Sequence, residues 1–242
     1  MAQAFRALAR QRRSVYQYQN KPIPKEILED VLQTTQRAPS GFNLQPYACV
    51  VVQDPDERAQ LSTAMLGDNI RKVKDAPLVA VFASDLEPSK RVPAIQQLME
   101  TAGQSTADIH QLPMKLRFFG GEGHLAGLIR SGISAAFTPF QAVPTYAPTI
   151  AWSYKSTMLA VTHYVLALES HGIGTCVMEG FDETRLRHAL DIPDRYSVPV
   201  VVTAGYPVES TKPLTLRLDP NEVFFDGKFG RQGLFKPSKG EE

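Results

Sequence analysis

The spacing of apolar positions changes along the chain, and each change marks an element boundary. Phe5 and Leu8 share one side of a short amphipathic stretch, which predicts a first helix with both packed inward. After Pro22 to Pro24, Ile27, Leu28, Val31 and Leu32 recur at helical spacing. That second helix is expected to end near Ala38-Pro39-Ser40-Gly41. Tyr47 to Val52 is a β-branched run and predicts a buried strand. Asp54-Pro55 reads as an N-cap followed by proline at the first helical position, with Gly67 as the stop. Pro77 introduces a second strand, Leu78 to Ala83. Apolar residues cover almost the whole circumference of the stretch from Ile150 to Ser170: Met158, Leu159, Val161, Val165, Leu166 and Leu168. This predicts a long, central buried helix ended by Gly172 at the C′ position. Strands at Gly174 to Met178 and Val198 to Ala204 follow, separated by a helix from Asp182 to about Leu190. Strands mixed with longer helices indicate an α+β layer fold.

Two stretches resist this reading. From Ser84 to Thr149 the pattern is broken by Pro93, Pro113, Pro139, Pro144 and Pro148, which predicts a lid, binding loop or dimer contact. Residues 208–235 are rich in proline and aromatics with little periodicity, and read as an arm that packs on something, such as a second subunit.

Composition narrows the function classes. At 242 residues the chain can build one well-packed domain, residues 1–242, or two small ones. A formal net charge of +1 gives no electrostatic case for nucleic acid or a membrane surface. No apolar run reaches the roughly 20 residues of a membrane span, and no signal-peptide core is visible. Cys49 and Cys176 each lie in an apolar run and read as buried thiols in a reducing compartment. The first acidic residue is Glu26, preceded by Arg6, Arg10, Arg12 and Arg13, a composition shared with mitochondrial presequences. The amphipathic-helix reading is favoured because Arg12 and Ser14 belong to a motif, so a cytoplasmic location is expected, with mitochondrial as the alternative. Scattered histidines without H-E-x-x-H argue against a metal site. The serines lack a G-x-S-x-G elbow. Gly121 to Ala126 fits a dinucleotide pattern but follows no convincing strand.

Four separated segments carry candidate chemistry. Arg12-Arg13-Ser14 supplies two planar guanidinium forks and a hydroxyl, a donor set suited to a phosphate monoester. Pro39-Ser40-Gly41-Phe42-Asn43-Leu44-Gln45-Pro46 packs two amides, a hydroxyl and exposed backbone into a turn able to read a polar ring edge or ribityl hydroxyls. Asn69 and Lys72, three apart on one helix face, suit a carbonyl–imide edge. Glu179-Gly180 follows a strand and precedes a helix, where backbone N–H groups point at a ligand. Taken singly, each also fits an ordinary solvated face or loop.

In this order the segments resemble the FMN-dependent nitroreductase family. The match runs from Arg12-Arg13-Ser14 through Pro39-Ser40 with Asn43, Gln45 and Pro46, then Asn69 and Lys72 ahead of Asp75-Ala76-Pro77. It continues with Gly172-Ile173-Gly174, Glu179-Gly180-Phe181-Asp182, Val201-Val202, Gly205-Tyr206-Pro207 and Arg217. The resemblance implies a nitroreductase-like fold with a mixed, mostly antiparallel sheet of about four to five strands surrounded by helices. It implies a C-terminal arm exchanged in a homodimer, with FMN at the interface. Residues equivalent to Arg12, Ser14 and Arg217 would hold the phosphate, with Arg13 beside them, and Asn69 and Lys72 the pyrimidine edge. Pro39, Ser40, Gly41 and Asn43 would come from the partner chain, while the backbone of Glu179 and Gly180 lies near N5 and O4. A positive charge near N1 favours the reduced ring. No side chain is required as a catalytic acid or base.

The implied activity is ping-pong electron transfer from NAD(P)H to quinones, nitroaromatics or similar flat acceptors. Phe137, Phe140, Tyr146 and Trp152 are candidate walls of the stacking pocket. The family often carries a second basic residue where this chain has Tyr16, and a lysine where it has Thr215. Alternative readings keep the flavin but change the reaction, to dehalogenation, enoate reduction or flavin breakdown, or leave a non-catalytic flavin-binding protein.

Overall fold

Strand β2 (Leu78–Asp85) is the centre of the molecule, buried along its whole length. It lies between β1 (Tyr47–Val52) and β4 (Tyr196–Gly205), and β3 (Gly174–Met178) closes the other side of β4. The order β1-β2-β4-β3 is antiparallel throughout, giving the α+β sheet expected. A single parallel bridge, Ser14 to Thr175, adds the N-terminal segment to the outer edge of β3. The structure is a computed structural model and describes residues 2–119, 122, 131–132, 136–142, 147–209 and 213–236.

Alternation along the strands feeds two cores. Leu78, Ala80 and Phe82 of β2 join Val200, Val202 and Ala204 of β4 on one face, covered by α2 (Lys25–Gln36) and a long helix, α7 (Thr149–Ser170). Val79, Val81 and Ala83 face the opposite way with Val198 and Val201. That face is covered by α3 (Pro55–Ser62), α4 (Asn69–Asp75) and α8 (Glu183–Ala189) through Leu61, Val73 and Leu186. Pro199 interrupts β4 where the β2 register shifts between Phe82 and Ser84. Proline cannot donate to the ladder, and the irregularity puts Val198 and Val200 into different cores.

The capping expectations hold in part. The Asp54 carboxylate accepts from Asp56 N and Glu57 N at 2.9 and 3.0 Å, with Pro55 opening α3. Gly172, at φ +71°, follows α7 as its C′ residue. Gly67 does not stop α3, which ends five residues earlier at Ser62; the glycine instead sits at φ +54° in the turn leading to α4. The first helix, α1 (Ala2–Gln11), buries none of its residues, so Phe5 and Leu8 are not packed inward within one chain. Helix α7 is buried on one side, where Ser153, Thr157, Ala160, Val161, Tyr164 and Leu168 pack, while Leu159 on the open side is 45% exposed.

Part of the broken stretch after β2 is ordered helix. α5 (Val92–Thr101) accommodates Pro93 in its first turn, and α6 (Thr106–Phe119) carries Pro113 internally. Val92, Ile95, Leu112 and Leu116 enclose Leu44, with Phe42 and Trp152 alongside, in a third small core. Among the described residues no helix is long and apolar enough to cross a membrane.

The chain divides into two compact units, Met1–Glu209 and Ser210–Glu242. The second contains α9 (Pro220–Val223), capped by Asp219, with Phe224 against Phe235 and Phe225 against Phe229. Leu216 and Phe229 of this unit are more than nine-tenths exposed.

Candidate functional site

The N-terminal segment is stitched to β3 at close range. Val15 N donates to Thr175 O at 2.8 Å. A Cβ on Gly174 would lie 2.4 Å from Val15 Cγ2, so only glycine permits this approach. Tyr18 completes the attachment: its hydroxyl donates to Val15 O and pairs with Thr203 Oγ1, both at 2.8 Å. Burial pushes that phenol well above its ordinary range.

This attachment delivers Tyr16 to Lys72. The Lys72 ammonium lies 4.9 Å from the centre of the Tyr16 ring and donates to Asn69 Oδ1 at 3.0 Å, with the Asp68 carboxylate 3.7 Å away. Asn69 Nδ2 in turn donates to Gly180 O at 3.2 Å, a carbonyl that also accepts from Leu66 N. A Cβ on Gly180 would stand 2.9 Å from Asn69 Nδ2. Tyr16, just after the Arg12-Arg13-Ser14 motif, thus joins residues from two other sequence segments in one contact chain, Tyr16–Lys72–Asn69–Gly180. The Lys72 side chain is only 14% exposed, so its charge is screened less than a surface lysine's.

Cys176 lies on β3 near these charges. Burial raises its thiol pKa, with the Lys72 and Arg12 charges pulling it down and the Asp68 carboxylate pushing it up. Arg12 and Arg13 likewise oppose the upward shift that burial imposes on Glu169, at the end of α7. The Arg12 side chain makes no ion pair among the described residues. The donor set at this edge is thus guanidinium, hydroxyl, ammonium and amide, and Gly180 packs so closely on Asn69 that a Cβ would displace the amide. The set fits a ligand with a phosphate at one end and an imide edge at the other.

Pro39, Ser40, Gly41 and Asn43 are not part of this cluster. They precede β1, one edge strand of the sheet, whereas the cluster borders β3, the other. Their turn is tightly wound: Ser40 Oγ accepts from Gln45 N at 2.9 Å, and Gln45 Nε2 donates to Asn43 O at 3.2 Å. Phe42, Asn43 and Gln45 all have positive φ, at 54°, 53° and 45°. Three non-glycine residues in the left-handed region within four positions store backbone strain, a feature that concentrates at ligand clamps. Trp152 covers the turn, with its ring 2.9 Å from where a Gly41 Cβ would sit.

Phe137 and Phe140 are exposed rather than core residues, the latter at 86%. Tyr146 lies outside the described residues, as does the Gly121 to Ala126 pattern except Glu122, which accepts from Ser89 N and Oγ. The Glu179 side chain is exposed beside Gly180. Arg217 belongs to the second unit, where it donates to Leu216 O at 3.2 Å. Sequence reasoning missed a buried ion cluster behind the turn: Asp85 with Arg91 and Arg195. A charged residue closing an otherwise apolar strand was its one visible signal.

The model of the family described as the nitroreductase family matches residues 9–206. A Thermus thermophilus protein named NADH dehydrogenase is 32% identical over 205 residues, covering 85% of this chain and 87% of its own. A Streptococcus pyogenes protein provisionally named an NAD(P)H nitroreductase is 25% identical over 219 residues, covering 90% and 97%. Among solved structures, an Exiguobacterium sibiricum protein described as a nitroreductase in complex with FMN superposes with a TM-score of 0.71 at 20% identity. That alignment covers 93% of this chain and 97% of the other, and it supports the fold.

Proposed function

The chain belongs to the nitroreductase family, and on that premise we propose that it is an FMN-dependent oxidoreductase. In this reading it is a homodimer that takes electrons from NAD(P)H and passes them, by a ping-pong route, to quinones, nitroaromatics or similar flat acceptors. The observation that carries it is the Tyr16–Lys72–Asn69–Gly180 array on the edge of β3, beside Arg12 and Ser14.

Arg12, Arg13 and Ser14 bind the phosphate, the role that the family pattern gives Arg217 as well. Asn69 and Lys72 hold the pyrimidine edge. Lys72 keeps a fixed positive charge where negative charge gathers, at no reorganisation cost because Asn69 and Tyr16 already orient it. Bound FMN supplies both hydride acceptor and donor in one ring. The backbone N–H groups of Glu179 and Gly180 orient that ring. Phe137, Phe140, Tyr146 and Trp152 remain the candidate pocket walls.

Homodimerisation is favoured by the separation of the two half-sites. Ser40, Gly41 and Asn43 precede β1, the edge strand opposite β3, so the two half-sites of one chain lie at different sheet edges. A two-fold arrangement lets each protomer lend its turn to the other. The exposed apolar residues Leu159, Leu216 and Phe229 are surface for such a contact.

The test is initial-velocity kinetics of the full-length, FMN-loaded protein, varying NADH or NADPH against a benzoquinone or a nitroarene. Parallel double-reciprocal lines are expected. Intersecting lines would remove the ping-pong reading, and no turnover with either class of acceptor would favour a different reductive reaction or a binding role.

A further inference from the structure

The strained turn needs something to hold it, and the structure supplies a buried device for that. Asp85, with its side chain wholly buried at the end of β2, accepts from Arg91 Nε at 3.1 Å and from Arg195 at 2.7 Å. Its other oxygen accepts from Glu87 N at 3.0 Å. Arg91 then reaches onward: a terminal nitrogen donates to Tyr47 O at 2.9 Å, two residues after Gln45. Asp85 N donates to Pro46 O at 2.9 Å, and Ser153 Oγ is within hydrogen-bonding distance of both the Pro46 and Asp85 carbonyls. The carbonyls of Pro46 and Tyr47 are thus clamped immediately downstream of the three left-handed residues.

The second arginine of the cluster provides an internal control. Arg195 bonds the same carboxylate and the Tyr196 hydroxyl but has no bond to the turn. The two arginines are similarly exposed, at 28% and 29% of their side chains, and share one anion. What separates them is the Arg91 bond to Tyr47 O. Arg91 also immediately precedes α5, whose Val92 and Ile95 pack around Leu44 within the turn. Polar and apolar restraints on the turn therefore meet at this residue.

We infer that Arg91, anchored on Asp85, is a positioning residue that holds the 40–46 turn in its strained form and so presents Ser40, Gly41 and Asn43 to the flavin. The inference rests on the flavin reading above. A charge-assisted bond to a main-chain carbonyl restrains the exit of the turn, and without it Phe42 and Gln45 relax toward ordinary backbone. Arg91 touches no reacting atom; it acts through the turn.

The experiment compares wild-type protein with Arg91→Lys and Arg195→Lys, all full-length and FMN-loaded. Dissociation constants come from the fluorescence of released flavin, and melting temperatures from circular dichroism. Lysine keeps the charge beside Asp85 in both variants but lacks the fork needed to bond two groups at once. Both are expected to lose thermal stability, Arg91→Lys somewhat more because bound flavin stabilises the fold in proportion to its affinity. Only Arg91→Lys is expected to weaken FMN binding, by about tenfold, while Arg195→Lys stays within about twofold. Adding Gln45→Gly to Arg91→Lys removes a side-chain penalty at a left-handed position and should recover affinity, with only the part of the melting temperature that flavin binding supplies. Equal losses of affinity in the two lysine variants, or none in Arg91→Lys, overturn the inference and leave the cluster purely structural. If Arg91→Lys does not fold, Arg91→Gln, which leaves Asp85 paired with Arg195, carries the same expectation. Wild-type protein that binds no FMN overturns the flavin reading itself, and this inference with it.

Discussion

Replacing Gly174 by alanine tests how the N-terminal motif is held against β3. The added Cβ would lie 2.4 Å from Val15 Cγ2, 3.0 Å from its Cβ and 3.3 Å from Cγ1. Carbon atoms rest at about 3.5–4.0 Å, so Val15 must retreat by roughly 1 Å or β3 must move. Retreat breaks the Val15 N–Thr175 O bond; moving β3 disturbs its ladder with β4. Overpacking of this kind costs about 1–3 kcal/mol, and the lost hydrogen bond about 0.5–1.5 kcal/mol. Alanine also restricts the unfolded chain, which returns about 0.4–1 kcal/mol. The clash wins, leaving a net loss of about 1–3 kcal/mol. Urea unfolding at constant m-value measures it, and a parallel FMN titration should show about tenfold weaker binding because Ser14 and Tyr16 move with Val15. Val15→Ala removes both clashing methyl carbons, so the double variant should be more stable than the sum of the singles by at least about 1 kcal/mol. Strict additivity would refute the close-approach argument.

Three further outcomes are expected. Gly180→Ala meets only the end of a flexible side chain, Asn69 Nδ2, so stability should change by less than about 1 kcal/mol while flavin affinity drops several-fold; an unchanged affinity in a titration would detach Asn69 from the site. Asp54→Ala deletes the cap of α3 and should cost about 0.5–2 kcal/mol in urea unfolding, with no effect on flavin binding. Alkaline pH should destabilise the fold. Burial raises the Cys49 thiol from 9.0 to about 12, and raises Cys176, Tyr47 and Tyr154 as well. The native state therefore keeps protons that the unfolded chain has released. Their contribution is complete below the ordinary thiol value and is lost as pH rises through the folded values, so the urea midpoint should fall steadily above about pH 9. A flat profile to about pH 11 would contradict it.

The strands were the most legible elements, because β-branched runs bounded by proline and glycine have few alternatives: β1 and β3 begin and end where the pattern places them. Helix α7 is the central helix expected, but α1 and the outer side of α7 were misread as buried for a shared reason. Phe5 and Leu159 carry the periodicity of buried residues, yet they stay 60% and 45% exposed. Periodicity records that a face is apolar, not what covers it. The motif residues were legible one segment at a time. Their division between opposite sheet edges depends on the strand order, which local pattern does not encode. The Asp85–Arg91–Arg195 cluster was invisible for a related reason, since Asp85 and Arg195 are 110 residues apart and meet only when β2 pairs with β4. Proline density obscured α5 and α6, because Pro93 in a first turn looks in sequence like a breaker.

The central claim is that this chain carries a flavin that NAD(P)H reduces and a flat acceptor reoxidises. Anaerobic mixing of the FMN-loaded protein with NADH or NADPH, followed at the oxidised flavin band near about 450 nm, tests it most directly. The account predicts bleaching with at least one of the two nucleotides and recovery of the band on adding a quinone or nitroarene. A band that persists with both nucleotides would contradict it.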